Sequence, residues 1–276
     1  MILSGKTMLA GILGWPISHS RSPRVHGYWL KEYNIDGAYI ALAASLERIE
    51  DAFRGLPALG FRGANVTIPH KISALQACDV LDDVATRIGA VNTIIVQEDG
   101  SLLGTNTDAY GFLENLHQES DWRGEKGPAV VLGAGGAARA VCVALLDAGA
   151  PEVRITNRTD ARAQALADEF NLTLVPWSDR GAALDGAALV ANATSLGMVG
   201  QPPLDLPLDA LPADALVHDI VYTPLETDLL ARARARGNAV VDGLGMLLHQ
   251  ARPGFEAWFG ISPAVTPALR KFVLDS

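Results

Sequence analysis

The sequence is short of cysteine, of positive charge and of long apolar runs. Two cysteines, Cys78 and Cys142, in 276 residues cannot build a disulfide framework or a four-thiolate metal site, and they fit a reducing cytosol. Lys and Arg number 22 against 31 Asp and Glu, a net charge of −9. A nucleic-acid duplex or a membrane surface needs a basic face, so neither is an expected partner. A small anionic ligand remains compatible where positive groups are concentrated locally. The six histidines show no ligand spacing such as H-E-x-x-H, so no metal is expected. No stretch approaches the ~20 apolar residues of a spanning helix. Residues 8–15, with Lys6 ahead and Pro16 behind, are too short for that and read as a buried first strand rather than a targeting segment. Repeats and low-complexity segments are absent as well.

What is present is the mixture of a soluble globular chain, 49% apolar and 19% charged. At roughly 100–200 residues per domain, this length predicts one large or two modest domains. In the first hundred residues short apolar runs alternate with amphipathic stretches. The pattern predicts strands at 8–13, 38–42, 63–66, 93–97 and 102–105, with helices starting at Ser22-Pro23 and covering 46–54 and 80–88. Ser22 is the expected cap, and Pro23 suits the first helical turn. An amphipathic stretch at 109–116 runs into the polar segment 117–127, which reads as a loop at a domain boundary. A second series follows, with strands at 129–132, 153–156, 173–175, 188–191, 216–219 and 239–242. A helix at 227–236 stops at Gly237, a residue suited to the left-handed C′ position. The last helix, 244–258, need not belong to the second sheet. Strands alternating with helices indicate an α/β architecture.

The clearest local signal is Gly133-Ala134-Gly135-Gly136-Ala137-Ala138 between a buried strand and an alanine-rich helix start. The spacing G-x-G-x-x-A suits a dinucleotide. Gly133 permits the tight turn, Gly135 lets main-chain N–H groups approach a pyrophosphate, and Ala138 lets the helix lie close to the sheet. A glycine turn also simply joins strands to helices, but a strand before and a helix after favour the functional reading. At the end of the next strand stand Asn157, Arg158 and Thr159, with Arg162 shortly after. NAD-binding folds often place an acid there for the ribose 2′-hydroxyl. Arginine instead grips a 2′-phosphate through charge-assisted bonds, so the expected cofactor is NADP.

Ahead of the expected domain boundary four polar segments exceed what core packing needs. Ser20 and Ser22 lie two apart on a turn leading into a helix, where both hydroxyls can serve one anion such as a carboxylate; the plainer alternative is that Ser22 only caps the helix. Asn65 and Thr67 share one side of a strand whose Val66 and Ile68 are expected to face the core, and Lys71 follows at its C-terminal end. His70, behind Pro69, reads as structural or as a cap. Asn92 stands where a strand begins. Thr107 or Asp108 is a candidate cap, and Asp108 lies close to the expected domain junction.

The runs 16–23, 65–71, 89–93, 106–108, 133–139, 192–198 and 243–250 resemble, in order and over nearly the whole chain, the shikimate dehydrogenase family. The resemblance implies NADPH-dependent, reversible reduction of 3-dehydroshikimate to shikimate in aromatic amino-acid biosynthesis. It implies two α/β domains with a cleft between them: a substrate-binding domain with a mixed sheet (1–107 plus 243–276) and a Rossmann-like NADP-binding domain (108–242). By the same resemblance Ser20 and Ser22 hold the substrate carboxylate, and Asn65, Thr67, Asn92 and Gln250 hold its hydroxyls. Tyr222 lies near the substrate, and Lys71 and Asp108 form the catalytic pair. The cofactor falls to Gly133, Gly135, Gly136, Ala137, Thr194 and Gly243, with Asn157, Arg158, Thr159 and Arg162 matching the family's N-R-T-x-x-R clasp. One departure is Gly27 after His26, where relatives commonly have Asn; it touches none of these positions. The implied protein is a cytoplasmic enzyme, a monomer or homodimer, with a small-molecule substrate. Two rivals are a dual-specificity quinate/shikimate dehydrogenase and a non-catalytic ligand sensor that kept the fold. The second would usually have lost the lysine, which is present as Lys71.

Overall fold

Short runs rich in Val, Ile, Leu and Ala alternate with helices twice along the chain, and each series closes into its own sheet. The computed structural model describes residues 3–275. They separate into two units, Met1–Thr107 with Leu247–Ser276, and Asp108–Met246.

The first unit contains β1 (Met8–Gly14), α1 (Ser22–Glu32), β2 (Gly37–Ala43), α2 (Ile49–Ala58), β3 (Phe61–Val66), α3 (Lys71–Ala77), β4 (Val80–Leu81), α4 (Asp83–Ile88), β5 (Thr93–Val96) and β6 (Leu102–Thr105). Its sheet has the order β2-β1-β3-β5-β6-β4. β1 runs parallel to β2 and β3, whereas β5 is antiparallel to both β3 and β6. That reversal decides the site, because the register pairs Thr93 at the start of β5 with Asn65 near the end of β3 and with Thr105 at the end of β6. Phe53, Leu56, Val66, Ala74, Val91 and Ile94 form one buried cluster. Trp29, Phe255 and Trp258 are buried in an aromatic group with His26 and Tyr39.

The second unit contains α5 (Asp108–Glu119), β7 (Ala129–Leu132), α6 (Gly136–Asp147), β8 (Val153–Thr156), α7 (Asp160–Phe170), β9 (Thr173–Leu174), β10 (Leu189–Asn192), β11 (Leu216–Asp219), α8 (Asp228–Ala235) and β12 (Ala239–Val241). All its strand pairs are parallel, in the order β12-β11-β10-β7-β8-β9. This is the doubly wound arrangement, whose order reverses between β7 and β10. Alternation along β7 explains the two layers: Ala129 and Val131 pack with Val141, Leu145 and Ile155, while Val130 and Leu132 pack with Leu184, Val190 and Val217. The chain then continues through α9 (Leu244–Phe259) and α10 (Pro267–Leu274).

Several sequence-based expectations change. Residues 80–88 are not one helix, because Val80 and Leu81 pair with β6 and Asp82 caps a shorter α4 by accepting from the Ala85 N–H at 2.7 Å. The polar run 117–127 is not all loop, because α5 continues to Glu119. Ser22 does not cap α1; the cap position is Arg21, without a side-chain bond. Ile68 does not face the core. β3 ends at Val66, so strand alternation stops before Ile68, which is 66% exposed. Gly237 does take the left-handed position after α8, with φ +92°.

Candidate active site

In the first unit the turn after β1 is tied to the turn after β3. Thr67 N–H donates to Leu13 O at 2.9 Å, and Trp15 N–H donates to Ile68 O at 3.1 Å. A side chain at Gly14 would overlap the Thr67 methyl at 2.6 Å, so the glycine permits this approach. From the first turn the Ser22 N–H donates to Ser20 Oγ at 3.3 Å, which holds the two serines together at the start of α1. Ser20 is half-buried and Ser22 buried. After β3, Thr67 is half-buried and Lys71 opens α3. The Lys71 carbonyl accepts from Val91 N–H at 2.9 Å, which sets its main chain next to the segment that carries Asn92 into β5. His70 is fully buried and bonds Ala44 O through Nε2 at 2.7 Å, a structural role.

Asn65, Thr93, Asn92, Thr107 and Gln250 form one buried hydrogen-bonded chain. Asn65 Nδ2 donates to Thr93 Oγ1 at 3.0 Å and to Asn92 O at 3.3 Å. Thr93 Oγ1 donates to Asn92 Oδ1 at 2.8 Å, and that oxygen also accepts from Thr107 N–H at 2.9 Å. Asn92 Nδ2 donates to Thr107 Oγ1 at 3.0 Å and points to Gln250 Oε1 at 3.5 Å. Thr107 Oγ1 reaches Gln250 O at 2.8 Å, so this residue is a link in the chain rather than a simple cap. Asn106 is buried as well and donates to Ala90 O at 2.8 Å. The structure thus joins the predicted Asn65, Asn92 and Gln250 and adds Thr93, Thr107 and Tyr39. Tyr39 Oη donates to Asn65 Oδ1 at 2.6 Å. Sequence periodicity treats Tyr39 and Thr93 as ordinary strand residues, and only the register exposes their part.

In the second unit the glycine turn sits where the strand order reverses. Gly133 has φ +115°, and a Cβ there would lie 2.8 Å from Ala193 O, so the turn after β7 closes on the loop after β10. Gly135 is exposed, with nothing within 4 Å of where its Cβ would be, and Gly136 and Ala137 open α6 behind it. The first-turn N–H groups of a twelve-residue helix therefore border open space. This cradle fits a pyrophosphate, and a side chain at Gly135 would begin to fill it. Arg158 and Thr159 lie exposed between β8 and α7, and Arg162 is exposed in the first turn of α7. Asn157 Nδ2 donates to Thr159 O at 3.0 Å and shapes that loop. The two guanidiniums suit a phosphate at the ribose edge of the cradle.

The neighbouring loops hang on a buried carboxylate that motif reading passes over. Asp219 accepts from Asn192 Nδ2 at 2.9 Å, from Val221 N–H at 3.0 Å and from Thr227 Oγ1 at 2.7 Å. Burial pushes its carboxyl up to about 6, against these three bonds. Asn192 Oδ1 in turn accepts from the N–H (3.1 Å) and hydroxyl (2.7 Å) of Thr194, which orients the loop after β10. Tyr222 is half-buried in the loop after β11. Gly243 is packed against main chain: a Cβ would lie 2.2 Å from Ile220 O, so no side chain fits. Asp108 is buried at the start of α5. The sequence signal for Asp219 is a polar residue ending a buried apolar strand, and Asn192 has that signal together with its place at the head of the run 192–198.

Cys78 and Cys142 are free, and burial pushes both thiols up to about 12, which removes them as nucleophiles. Among the described residues no cluster of three or more His, Cys, Asp or Glu is arranged to hold a metal ion, and no helix is long and apolar enough to cross a membrane.

Two family models match the chain: the shikimate dehydrogenase substrate binding domain over residues 12–94, and shikimate / quinate 5-dehydrogenase over residues 117–198. A protein of Paramagnetospirillum magneticum named shikimate dehydrogenase (NADP(+)) is 60% identical, covering 99% of this chain and 100% of its own. The crystal structure of shikimate 5-dehydrogenase from Thermus thermophilus, in complex with NADP(H) and shikimate, superposes with a TM-score of 0.86 at 40% identity, covering 97% of this chain and 98% of its own. A quinate dehydrogenase from Corynebacterium glutamicum, in complex with NAD, reaches a TM-score of 0.90 at 31% identity, covering 98% and 99% of the two chains.

Proposed function

This chain belongs to the shikimate dehydrogenase family, and from that premise we propose that it reduces 3-dehydroshikimate to shikimate, reversibly, with NADPH. The observation that carries the cofactor half is the open glycine cradle at Gly133–Gly136 with Arg158 and Arg162 at the end of the next strand. The unit containing Met1–Thr107 and Leu247–Ser276 is the substrate-binding domain, and Asp108–Met246 is the NADP-binding domain. The enzyme works in the cytoplasm, as a monomer or homodimer. Two free thiols suit that compartment.

When bound, the dinucleotide supplies the hydride for the ketone carbon. The chain's own residues manage charge and orientation. Ser20 and Ser22, at the start of α1, take the substrate carboxylate, where hydroxyls and helix N–H groups favour an anion. Asn65, Thr67, Asn92 and Gln250 take the ring hydroxyls, and Tyr222 lies near the substrate. The Lys71 ammonium stabilises negative charge developing on the ketone oxygen and donates the proton that completes the alcohol. In the oxidative direction neutral Lys71 takes that proton back. Asp108 is the second member of the catalytic pair. Thr194 shapes the loop after β10, which with Asn157, Thr159 and the main chain at Gly243 would hold the dinucleotide.

Initial rates for shikimate and quinate oxidation, each with NADP and with NAD, test the assignment. Activity concentrated in the shikimate–NADP pair is the expected result. Comparable quinate turnover makes the enzyme dual-specific, and a preference for NAD removes the role given to Arg158. Ligand binding without turnover in all four assays would make the chain a sensor.

A further inference from the structure

The buried chain in the first unit has a direction, and the direction is set by main-chain groups. Asn92 O can only accept, so the Asn65 side chain must turn Nδ2 toward it and Oδ1 toward Tyr39. Thr107 N–H can only donate, so Asn92 must turn Oδ1 toward it and Nδ2 toward Thr107 Oγ1 and Gln250. Both Asn65 N–H bonds are then spent inside the protein, on Asn92 O and Thr93 Oγ1. The Tyr39 phenol stands at the head of this sequence of donors. Its ring is stacked on the imidazole of His26, with centroids 3.8 Å apart and planes 3° apart, and Trp258 flanks it at 6.0 Å. Burial holds the phenol well above its ordinary value, with the Ser22 side chain as its other polar neighbour, so it keeps its proton.

We infer that Tyr39 is a positioning residue for the substrate pocket: its hydroxyl holds in place the Asn65 amide, whose direction the Asn92 carbonyl sets, so that Asn65 meets the substrate in one fixed pose. The inference rests on the substrate assignment above, and Tyr39 acts through Asn65 rather than on the reacting atoms.

The test is steady-state shikimate oxidation by the full-length wild type and by Tyr39→Phe, Asn65→Ala and the double variant. For Tyr39→Phe we expect KM for shikimate to rise about tenfold, the size of one lost buried hydrogen bond, with kcat and KM for NADP within about twofold. The double variant should be no worse than Asn65→Ala alone, because Tyr39 has nothing left to position. A merely structural tyrosine would give additive losses, or would affect NADP as much as shikimate, and either result overturns the inference. So does an unchanged KM in Tyr39→Phe. If Tyr39→Phe does not fold, Thr93→Val cuts the same chain on the other side of Asn65. It should raise KM for shikimate about fivefold with NADP unaffected, and an unchanged KM again overturns the inference. Wild-type protein inactive on shikimate would instead sink the substrate assignment, so the two failures are distinguishable.

Discussion

The first unit fixes its polar side chains by bonding them to one another, from Tyr39 through Asn65, Thr93 and Asn92 to Gln250. The second presents main chain, at Gly133 and along the first turn of α6, and uses buried side chains such as Asp219 only to hold its loops. A site made of side chains selects among small ligands that differ by one hydroxyl, because each buried donor and acceptor must be matched. A site made of main-chain N–H groups accepts any pyrophosphate, and its selectivity comes from a few exposed charges at the edge. The mixed sheet and the all-parallel sheet serve these two tasks. Reversing β5 brings its start beside the ends of β3 and β6, where Asn65, Thr93 and Thr107 meet, whereas parallel strands gather loops.

The sharpest way to break the comparison is Lys71→Ala. If the chemistry lies in first-unit side chains, kcat for shikimate oxidation should fall by about a thousandfold while KM changes little. A rise in KM alone would make Lys71 a binding residue. Arg158→Ala probes the edge of the other unit. Its KM for NADP should rise by about 10- to 100-fold with KM for shikimate unchanged, and NAD kinetics should not respond, since NAD has no 2′-phosphate.

Acid separates the units by their buried titrating groups. His26 in one and His218 in the other are fully buried, and burial pushes each imidazole down from 6.5 to about 3. Between those values the unfolded chain binds a proton that the folded chain does not, so stability is lost as pH falls below 6.5. At pH 5 each histidine contributes about 2 kcal/mol of destabilisation. Asp219 has the opposite sign, because its carboxyl is raised from 3.8 to about 6 and the folded state keeps a proton that the unfolded chain releases between those values. At pH 5 that offsets about 1 kcal/mol in the second unit only. Hydrogen exchange at pH 7 and pH 5 should therefore show protection falling further in β1–β3 than in β7–β11, and equal losses would count against these assignments.

The smallest effect compares two threonine caps. Thr266 accepts from Leu269 N–H at 3.1 Å at the start of α10, and Thr227 accepts from Leu230 N–H at 3.4 Å at the start of α8. Thr266→Ala should cost about 1 kcal/mol in denaturant unfolding. Thr227→Ala should cost about 1 kcal/mol more, because it also strips a donor from buried Asp219. Equal costs would mean that Asp219 does not need its third donor.

Much of this was legible in the residues because each signal was local. The strands at 102–105, 129–132, 153–156 and 216–219 stand at their expected bounds, since short apolar runs between turn residues leave few alternatives. Gly133, Gly135, Arg158 and Arg162 announce themselves because a glycine turn and paired arginines act within a few residues of chain. Other readings failed where a distant partner decided the outcome. Val80 and Leu81 became a strand because β6 was there to pair with them. Helices α3 and α10 were not anticipated: the first is seven residues long and the second only eight.

The sequence by itself determined which chemistry is present: glycines that only a close main-chain approach requires, arginines in place of an acid, and Asn, Thr and Lys at strand ends. Tertiary structure alone decided how those groups are oriented. Asn65 turns its oxygen to Tyr39, Asn92 is saturated on its oxygen, and Tyr39 links the aromatic core to the polar chain, because strands far apart in sequence are brought into one register. A side-chain amide carries donor and acceptor at its two ends, and only its neighbours in space choose which end faces the ligand.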